Sequence, residues 1–278
     1  MTPDFLVIAP AGDASAGAVA AALTRRHGAG RVAQLPTGQL ARCRWTHRVA
    51  PDGAARTRLR RPDGAALDCA HVRCVLDRML APPTLPRFAR SHPKDRDYAA
   101  AEFHALLASW LAGFGPRLIN PAGPWTLVGG RRPRRAWMLD AASRGLPVPR
   151  DARATAGRLL PADAGPPSRA GRTNAALPGL PDALPACRGD EAARGAPAGR
   201  VLIAGDFVGG SLAGAFGEAC RHLAGGAGYR LAGFAFSRIG GRLVLSDVDT
   251  VPALADEAEV EAVARLLADV AAGAGGGP

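Results

Sequence analysis

The chain has 278 residues, 47% of them apolar, and a net charge of +11 from 35 Lys and Arg against 24 Asp and Glu. This length and apolar content exclude a disordered chain and allow two or three subdomains with cores of their own. No apolar run reaches the roughly 20 residues of a membrane-spanning helix, and the N-terminus reads as a first strand rather than a signal peptide.

Residues 5–9 (Phe-Leu-Val-Ile-Ala) form an apolar strand pattern, and Ser15–Arg26 has helical spacing with Val19, Ala22 and Leu23 on one face. Gly28 and Gly30 close that helix, and Arg31–Leu35 reads as a second strand. A βαβ opening of this kind predicts a parallel sheet with a right-handed crossover. Residues 41–76 read as short strands around the turns Pro51-Asp-Gly53 and Pro62-Asp-Gly64. An amphipathic helix follows over 97–114, with Phe103, Leu106, Leu107, Trp110 and Leu111 on its apolar side and Asp97 as the expected N-cap.

Residues 116–121 predict a short strand ending on Asn120-Pro121, followed by a Gly- and Arg-rich loop at 129–135. A helix over 136–144 is closed by Gly145, where left-handed geometry is wanted. Residues 151–199 are dominated by Ala, Gly, Pro and Arg and predict a poorly ordered insert without a strand. Order returns with a hairpin over 200–208, a helix over 212–227, strands over 231–238 and 242–248, and a closing helix over 257–271.

The five cysteines (Cys43, Cys69, Cys74, Cys187, Cys220) include no C-x-x-C pair. Reduced thiols in a cytoplasmic protein are the better reading, and Cys69, His71 and Cys74 lack a fourth zinc ligand. The charge is uneven: residues 1–150 hold 23 Lys and Arg against 10 Asp and Glu, whereas residues 151–278 hold 12 against 14. That asymmetry suits an acidic partner. Lys94 is the single lysine, however, so a compositional bias toward arginine acts along the whole chain. Aromatic residues make up 5% and are not interleaved with the arginines, which argues against nucleic acid.

The strongest chemical signal is Leu245-Ser-Asp-Val-Asp-Thr-Val-Pro252. Side chains alternate across a strand, so Asp247 and Asp249 project together and Val248 faces the other way. Two carboxylates at a strand end suit Mg²⁺, which takes one or two carboxylates plus substrate phosphates. On spacing alone, a solvated pair at a strand–loop junction is the plainer reading.

These pieces, in order, resemble the ATP-grasp superfamily, in particular the microviridin- or graspetide-type peptide ligases and the ribosomal-protein glutamate ligases. Ile119-Asn120-Pro121 is similar to the family's "iNpp". Trp137-Met-Leu-Asp-Ala-Ala-Ser-Arg-Gly-Leu-Pro-Val-Pro149 is similar to "qL..A...GlpvP". Arg200-Val-Leu-Ile-Ala-Gly-Asp206 resembles "RvlvvGd", while Leu231–Arg238 and Leu245–Pro252 resemble "aGvDvir" and "lEvNtmP". The match covers most of the chain except 151–199.

The resemblance implies an α/β fold of ATP-grasp type: an N-terminal parallel βαβ subdomain (1–120), a linker helix and reduced lid (121–199), and a mixed-sheet C-terminal subdomain (200–278). It implies ATP and Mg²⁺ as cofactors and a carboxylate–amine or carboxylate–hydroxyl ligase acting through an acylphosphate on a peptide or small carboxylate. Asp247 and Asp249 would hold the metal, Arg200 would contact a phosphate or the acylphosphate, and Arg134 or Arg135 would face the nucleotide in place of a family lysine. Two family features are missing: the lid lysine, and the aspartate of "aGvDvir", here Ala235. The alternative is a non-catalytic ATP-grasp relative that binds a peptide or partner protein.

Overall fold

The computed structural model describes residues 3–123, 126–129, 132–149 and 196–273. The insert read over 151–199 therefore lies, apart from its last four residues, outside the described residues, as does Cys187.

Four parallel strands build the first sheet: β1 (Phe5–Ala9) and β2 (Val32–Pro36), with the later β6 (Cys74–Asp77) and β7 (Leu118–Ile119), in the order β2-β1-β6-β7. Every residue of β1 is buried. Both faces of this sheet are covered, so β1 reads as a continuous apolar run instead of an alternating one. One face packs on α1 (Ala14–His27) and α6 (Glu257–Gly273) through Val7, Leu76, Val19, Leu23, Val263 and Leu267. A single turn, α2 (Thr37–Leu40), follows β2.

The other face packs on α3 (Pro93–Ala112) and on a three-stranded antiparallel sheet, β3 (Arg44–Val49), β4 (Ala55–Arg60) and β5 (Ala66–Asp68). Leu59, Leu67, Leu107 and Trp110 fill that interface. The two expected Pro-Asp-Gly turns are the hairpin connections, with positive φ at Gly53 and Gly64. Asp52 and Asp63 each accept a hydrogen bond from the backbone two residues on, the turn chemistry these residues supply.

The third sheet is antiparallel throughout: β8 (Ala196–Ala204), β9 (Phe207–Gly209), β10 (Leu231–Ile239) and β11 (Arg242–Asp249), ordered β11-β10-β8-β9. Leu202, Ala204 and Leu231 on one face share the core of α1 and α6. The opposite face is covered by α4 (Arg134–Ser143) and α5 (Ala213–Gly226) around Trp137, Leu223, Phe234 and Phe236. Helices α1 and α6 thus lie between the parallel sheet and the C-terminal sheet and bind them into one body.

Two elements depart from the sequence expectation. The composition of 151–199 predicts no strand, yet β8 begins at Ala196, with Ala196 opposite Arg238 and Gly199 opposite Phe236. Ala-Pro-Ala-Gly has no strand propensity of its own, so pairing with the long β10 strand supplies what the local sequence lacks. The register slips beside Pro197, where a bulge accommodates a residue with no N–H to donate. Helix α3 starts a turn earlier than Asp97: Pro93 opens it and the His92 ring nitrogen accepts from the Lys94 N–H at 3.3 Å. Proline at the first helical position outweighs the later aspartate because its φ is already helical.

Asp77, at the carboxyl end of β6, is 2% exposed; one carboxyl oxygen accepts from the Met79 N–H and the other has no partner among the described residues. Burial pushes this carboxyl well above its ordinary range, and the Met79 N–H only partly opposes that. A raised carboxyl keeps its proton in the native state after the unfolded chain has lost its own. Stability from this group is therefore greatest below the unfolded value near pH 4 and declines as pH rises toward the folded value. Asp77→Asn removes the titration. Urea denaturation is expected to show a shift in favour of the variant of about 1–3 kcal/mol between pH 4 and pH 7.5; parallel curves for the two proteins would contradict this account.

Candidate functional site

Strand β11 carries the two carboxylates, and a bulge aims them. Asp247 pairs with Ala235 but Leu245 pairs with Phe236, leaving Ser246 as an extra residue. The Ser246 hydroxyl donates to the Ala235 carbonyl at 3.0 Å and accepts from Ser237 Oγ at 2.9 Å. Strict alternation would put Leu245 and Asp247 on one face. The bulge resets the parity, so Leu245 is buried with α4 and α5 while Asp247 and Asp249 both face outward on the other side.

On that outward face the register sets Arg200 of β8, Ala235 of β10 and Asp247 of β11 in one row. Two strand spacings, about 10 Å, separate Arg200 from Asp247. Asp249 occupies the next row, opposite Gly233. A Cβ on Gly233 would meet Pro252 at 2.9 Å, so the missing side chain lets the chain fold back across β10 directly after Asp249. Asp249 Oδ1 accepts from the Val251 N–H at 2.8 Å and shapes that turn.

Each carboxylate commits one oxygen to the backbone, Asp247 Oδ1 accepting from the Val248 N–H at 3.0 Å. Among the described residues their Oδ2 atoms have no hydrogen-bond partner, and both side chains are exposed. As a donor set, two hard oxygen ligands fit Mg²⁺ that brings phosphate oxygens with it. Among the described residues no group of three or more His, Cys, Asp or Glu could hold a metal ion without such help.

Arg200 is not a free cation. It donates to the Ala253 carbonyl at 2.7 Å and to Glu259 of α6, which is 2% exposed. Glu259 Oε2 also accepts from the Ala255 N–H, and Asp256 Oδ1 accepts from the Glu259 N–H. Sequence pattern alone gives Glu259 no catalytic role, because its one signal is the Asp256-x-x-Glu259 spacing at a helix start, a capping pattern.

Arg134, the first residue of α4, donates Nε to the Ser246 carbonyl at 3.1 Å and so reaches the residue next to Asp247. Arg135 is exposed. Pro147, in the extended segment after α4, accepts from the Leu245 N–H at 2.7 Å and covers the outer edge of β11.

The exit from β11 is fastened to the N-terminal sheet by residues from three different segments. Asn120 Nδ2 donates to the Thr250 carbonyl at 3.1 Å, Arg78 donates to the Pro252 carbonyl at 3.0 Å, and Ser15 Oγ accepts from the Leu254 N–H at 3.0 Å. All three lie just beyond the carboxyl ends of parallel strands or at the start of α1, the usual place for a site in an open α/β sheet. Asp249 is thus positioned by the N-terminal half as much as by its own strand.

No protein-family model matches the sequence, and no curated protein matches it. Solved structures do. The macrocyclase MdnC from Microcystis aeruginosa MRC, bound with its precursor peptide MdnA, superposes with a TM-score of 0.67 at 12% identity, covering 97% of this chain and 100% of MdnC. A RiPP-associated ATP-grasp ligase from Chryseobacterium gregarium, in complex with ADP and a leader and core peptide, gives 0.66 at 11% identity over 97% of each chain. The ATP-grasp ligase PsnB, complexed with minimal precursor, Mg and ADP, gives 0.59 at 15% identity over 97% of this chain and 98% of PsnB. The chain accordingly has the fold of the ATP-grasp ligases that modify peptides.

Proposed function

We propose that this protein is an ATP- and Mg²⁺-dependent ligase that joins a peptide carboxylate to an amine or hydroxyl. The observation that carries this reading is the outward row of Arg200, Ala235 and Asp247 beside Asp249, in a fold whose solved neighbours are ATP-grasp peptide ligases. A substrate carboxylate oxygen attacks the γ-phosphorus of ATP; the new P–O bond forms, the bond to the β-phosphate bridge breaks, and ADP leaves. The amine or hydroxyl then attacks the acyl carbon, loses its proton, and phosphate departs.

Such chemistry depends on positioning and on neutralising phosphate charge. Asp247 and Asp249 would hold Mg²⁺, which supplies that neutralisation between the phosphates and the protein. Arg134 and Arg135 at the start of α4 would face the nucleotide, and Arg200 would hold the phosphate side of the substrate while steadied by Glu259. Residues 1–120 would form the N-terminal domain, 121–199 the linker helix and lid, and 200–278 the nucleotide domain. Free, buried Cys43, Cys69, Cys74 and Cys220 suit a reducing compartment such as the cytoplasm. Among the described residues no helix is long and apolar enough to cross a membrane.

A second reading, a relative that binds peptide without ligating, draws support from Arg200 being engaged by Glu259 and Ala253 and from Ala235 adding no carboxylate. Calorimetric titration of ATP with and without Mg²⁺ separates the two. The ligase reading expects Mg²⁺-dependent binding that weakens at least about tenfold in Asp247→Asn with Asp249→Asn, the order expected for losing charge-paired contacts. The Asn side chains retain the acceptors that shape the turn, so folding is preserved. Unchanged affinity in the double variant removes the metal site, and no binding at millimolar ATP selects the non-ligating reading.

A further inference from the structure

The outer face of the three-stranded sheet is an arginine lattice remote from Asp247 and Asp249. Arg44 and Arg48 on β3 and Arg56, Arg58 and Arg60 on β4 are all exposed, while Trp45, Thr57, Leu59 and Leu67 turn inward. The register sets Arg44 directly opposite Arg60 and Arg48 directly opposite Arg56. Like charges in such positions weaken a sheet. Only Arg58 of the five has an ion-pair partner among the described residues, Asp68, and it remains 78% exposed. Between residues 42 and 61 the sequence has seven arginines and a single acid, Asp52.

Strand β3 is also an edge: it pairs with β4 and with no other strand among the described residues. Its outward backbone N–H and C=O groups are a template for one more strand. We propose that an extended acidic polypeptide segment adds alongside β3, with carboxylates at alternate positions on the arginine face. Residues two apart in a strand are separated by about 6.8 Å, so acids opposite Arg44 and Arg48 stand four residues apart in the added strand. Arg56, Arg58 and Arg60, one strand further in, extend the positive field to the acid side chains between them.

The chemistry selects a polypeptide over other polyanions. Single-stranded nucleic acid wants aromatic platforms, but Trp45 points inward onto Phe103 and Trp110. A lipid surface would use the charges and leave the free strand edge unpaired. Only a polypeptide satisfies both the edge and the arginines, by β-strand addition. This surface lies across the parallel sheet from the carboxylates of β11 and does not depend on ATP chemistry.

Fluorescence anisotropy on the full chain tests it, using a labelled, acetylated peptide of alternating Glu and Thr. Salt-sensitive binding is expected, weakened at least about tenfold by Arg44→Glu with Arg48→Glu. The same peptide N-methylated at alternate backbone nitrogens keeps its charge but cannot pair as a strand, and it should lose binding as well. Because both arginines are exposed and face other arginines, the variant should melt no lower than the parent. Equal binding of the N-methylated peptide, equal binding by the variant, or preference for an oligothymidine or phosphatidylserine vesicles would overturn the proposal, as would no peptide binding.

Discussion

Arg78→Ala is expected to lower the stability of the whole chain by about 3–5 kcal/mol at neutral pH, the usual result of removing one partner from a buried ion pair. Arg78 is 6% exposed and donates Nε to Asp13 Oδ2 at 2.8 Å and Nη1 to the Pro252 carbonyl at 3.0 Å. Asp13 in turn caps α1 through the Ala16 N–H at 2.9 Å. Truncation leaves a carboxylate with 15% exposure facing no cation and frees the loop that follows Asp249.

The pH dependence identifies the cause. Burial by itself would raise the Asp13 carboxyl, but the Arg78 hydrogen bond, the Ala16 N–H and the guanidinium charge together outweigh it and hold the carboxyl below its ordinary value. Stability from a depressed carboxyl is present above its unfolded value and lost as pH falls through the folded one. The gap between wild type and Arg78→Ala in urea midpoints should therefore be widest near pH 7 and narrow below pH 4. A gap independent of pH would assign the loss to packing alone. On the proposed ligase reading, nucleotide affinity measured where the variant is still folded should fall too, because Pro252 anchors the turn after Asp249.

Asn120→Ala is the second large effect. The side chain is 1% exposed and makes four hydrogen bonds: Nδ2 donates to the carbonyls of Leu231 at 2.6 Å and Thr250 at 3.1 Å, and Oδ1 accepts from the N–H groups of Arg230 and Leu231 at 3.1 Å each. It stitches the end of β7 to the start of β10 and the exit of β11. Each buried group left unpaired costs about 1–3 kcal/mol, and the four are coupled, so a total of about 3–5 kcal/mol is expected. Asn120→Asp keeps both acceptor contacts but faces a carboxylate to two carbonyls. It should be as damaging as Ala at pH 7.5 and should recover on acidification, when the protonated oxygen can donate again. Absence of that recovery in thermal melts would show that the two donated bonds are not what holds the halves together.

The order and type of most elements were legible because each rests on local pattern. Phe5–Ala9 is buried on both faces and so is apolar throughout, and the Pro-Asp-Gly turns announce their hairpins through Asp side chains and glycine geometry. The motif order around Asn120, Leu146–Pro149, Arg200 and Asp247 pointed to ATP-grasp, and the solved structures share that fold. One departure was decided by a partner, since Ala196–Gly199 is a strand because β10 is its neighbour; the other was local, since α3 begins at Pro93, where proline and the His92 cap outweigh Asp97.

The candidate site divides in the same way. Residue types two apart in a strand were enough to put Asp247 and Asp249 on one side, since alternation is a property of the backbone itself. Which side that is depended on the Ser246 bulge, and a bulge forms against a partner strand that no local pattern reveals. The binding of Arg200 by Glu259, of Pro252 by Arg78 and of Thr250 by Asn120 joins residues 59 to 174 positions apart. Local sequence specified the strands, helices, turns and reactive side chains; only the tertiary structure decided which charges are engaged and what holds the carboxylates in place, because those contacts exist only once distant segments share a core.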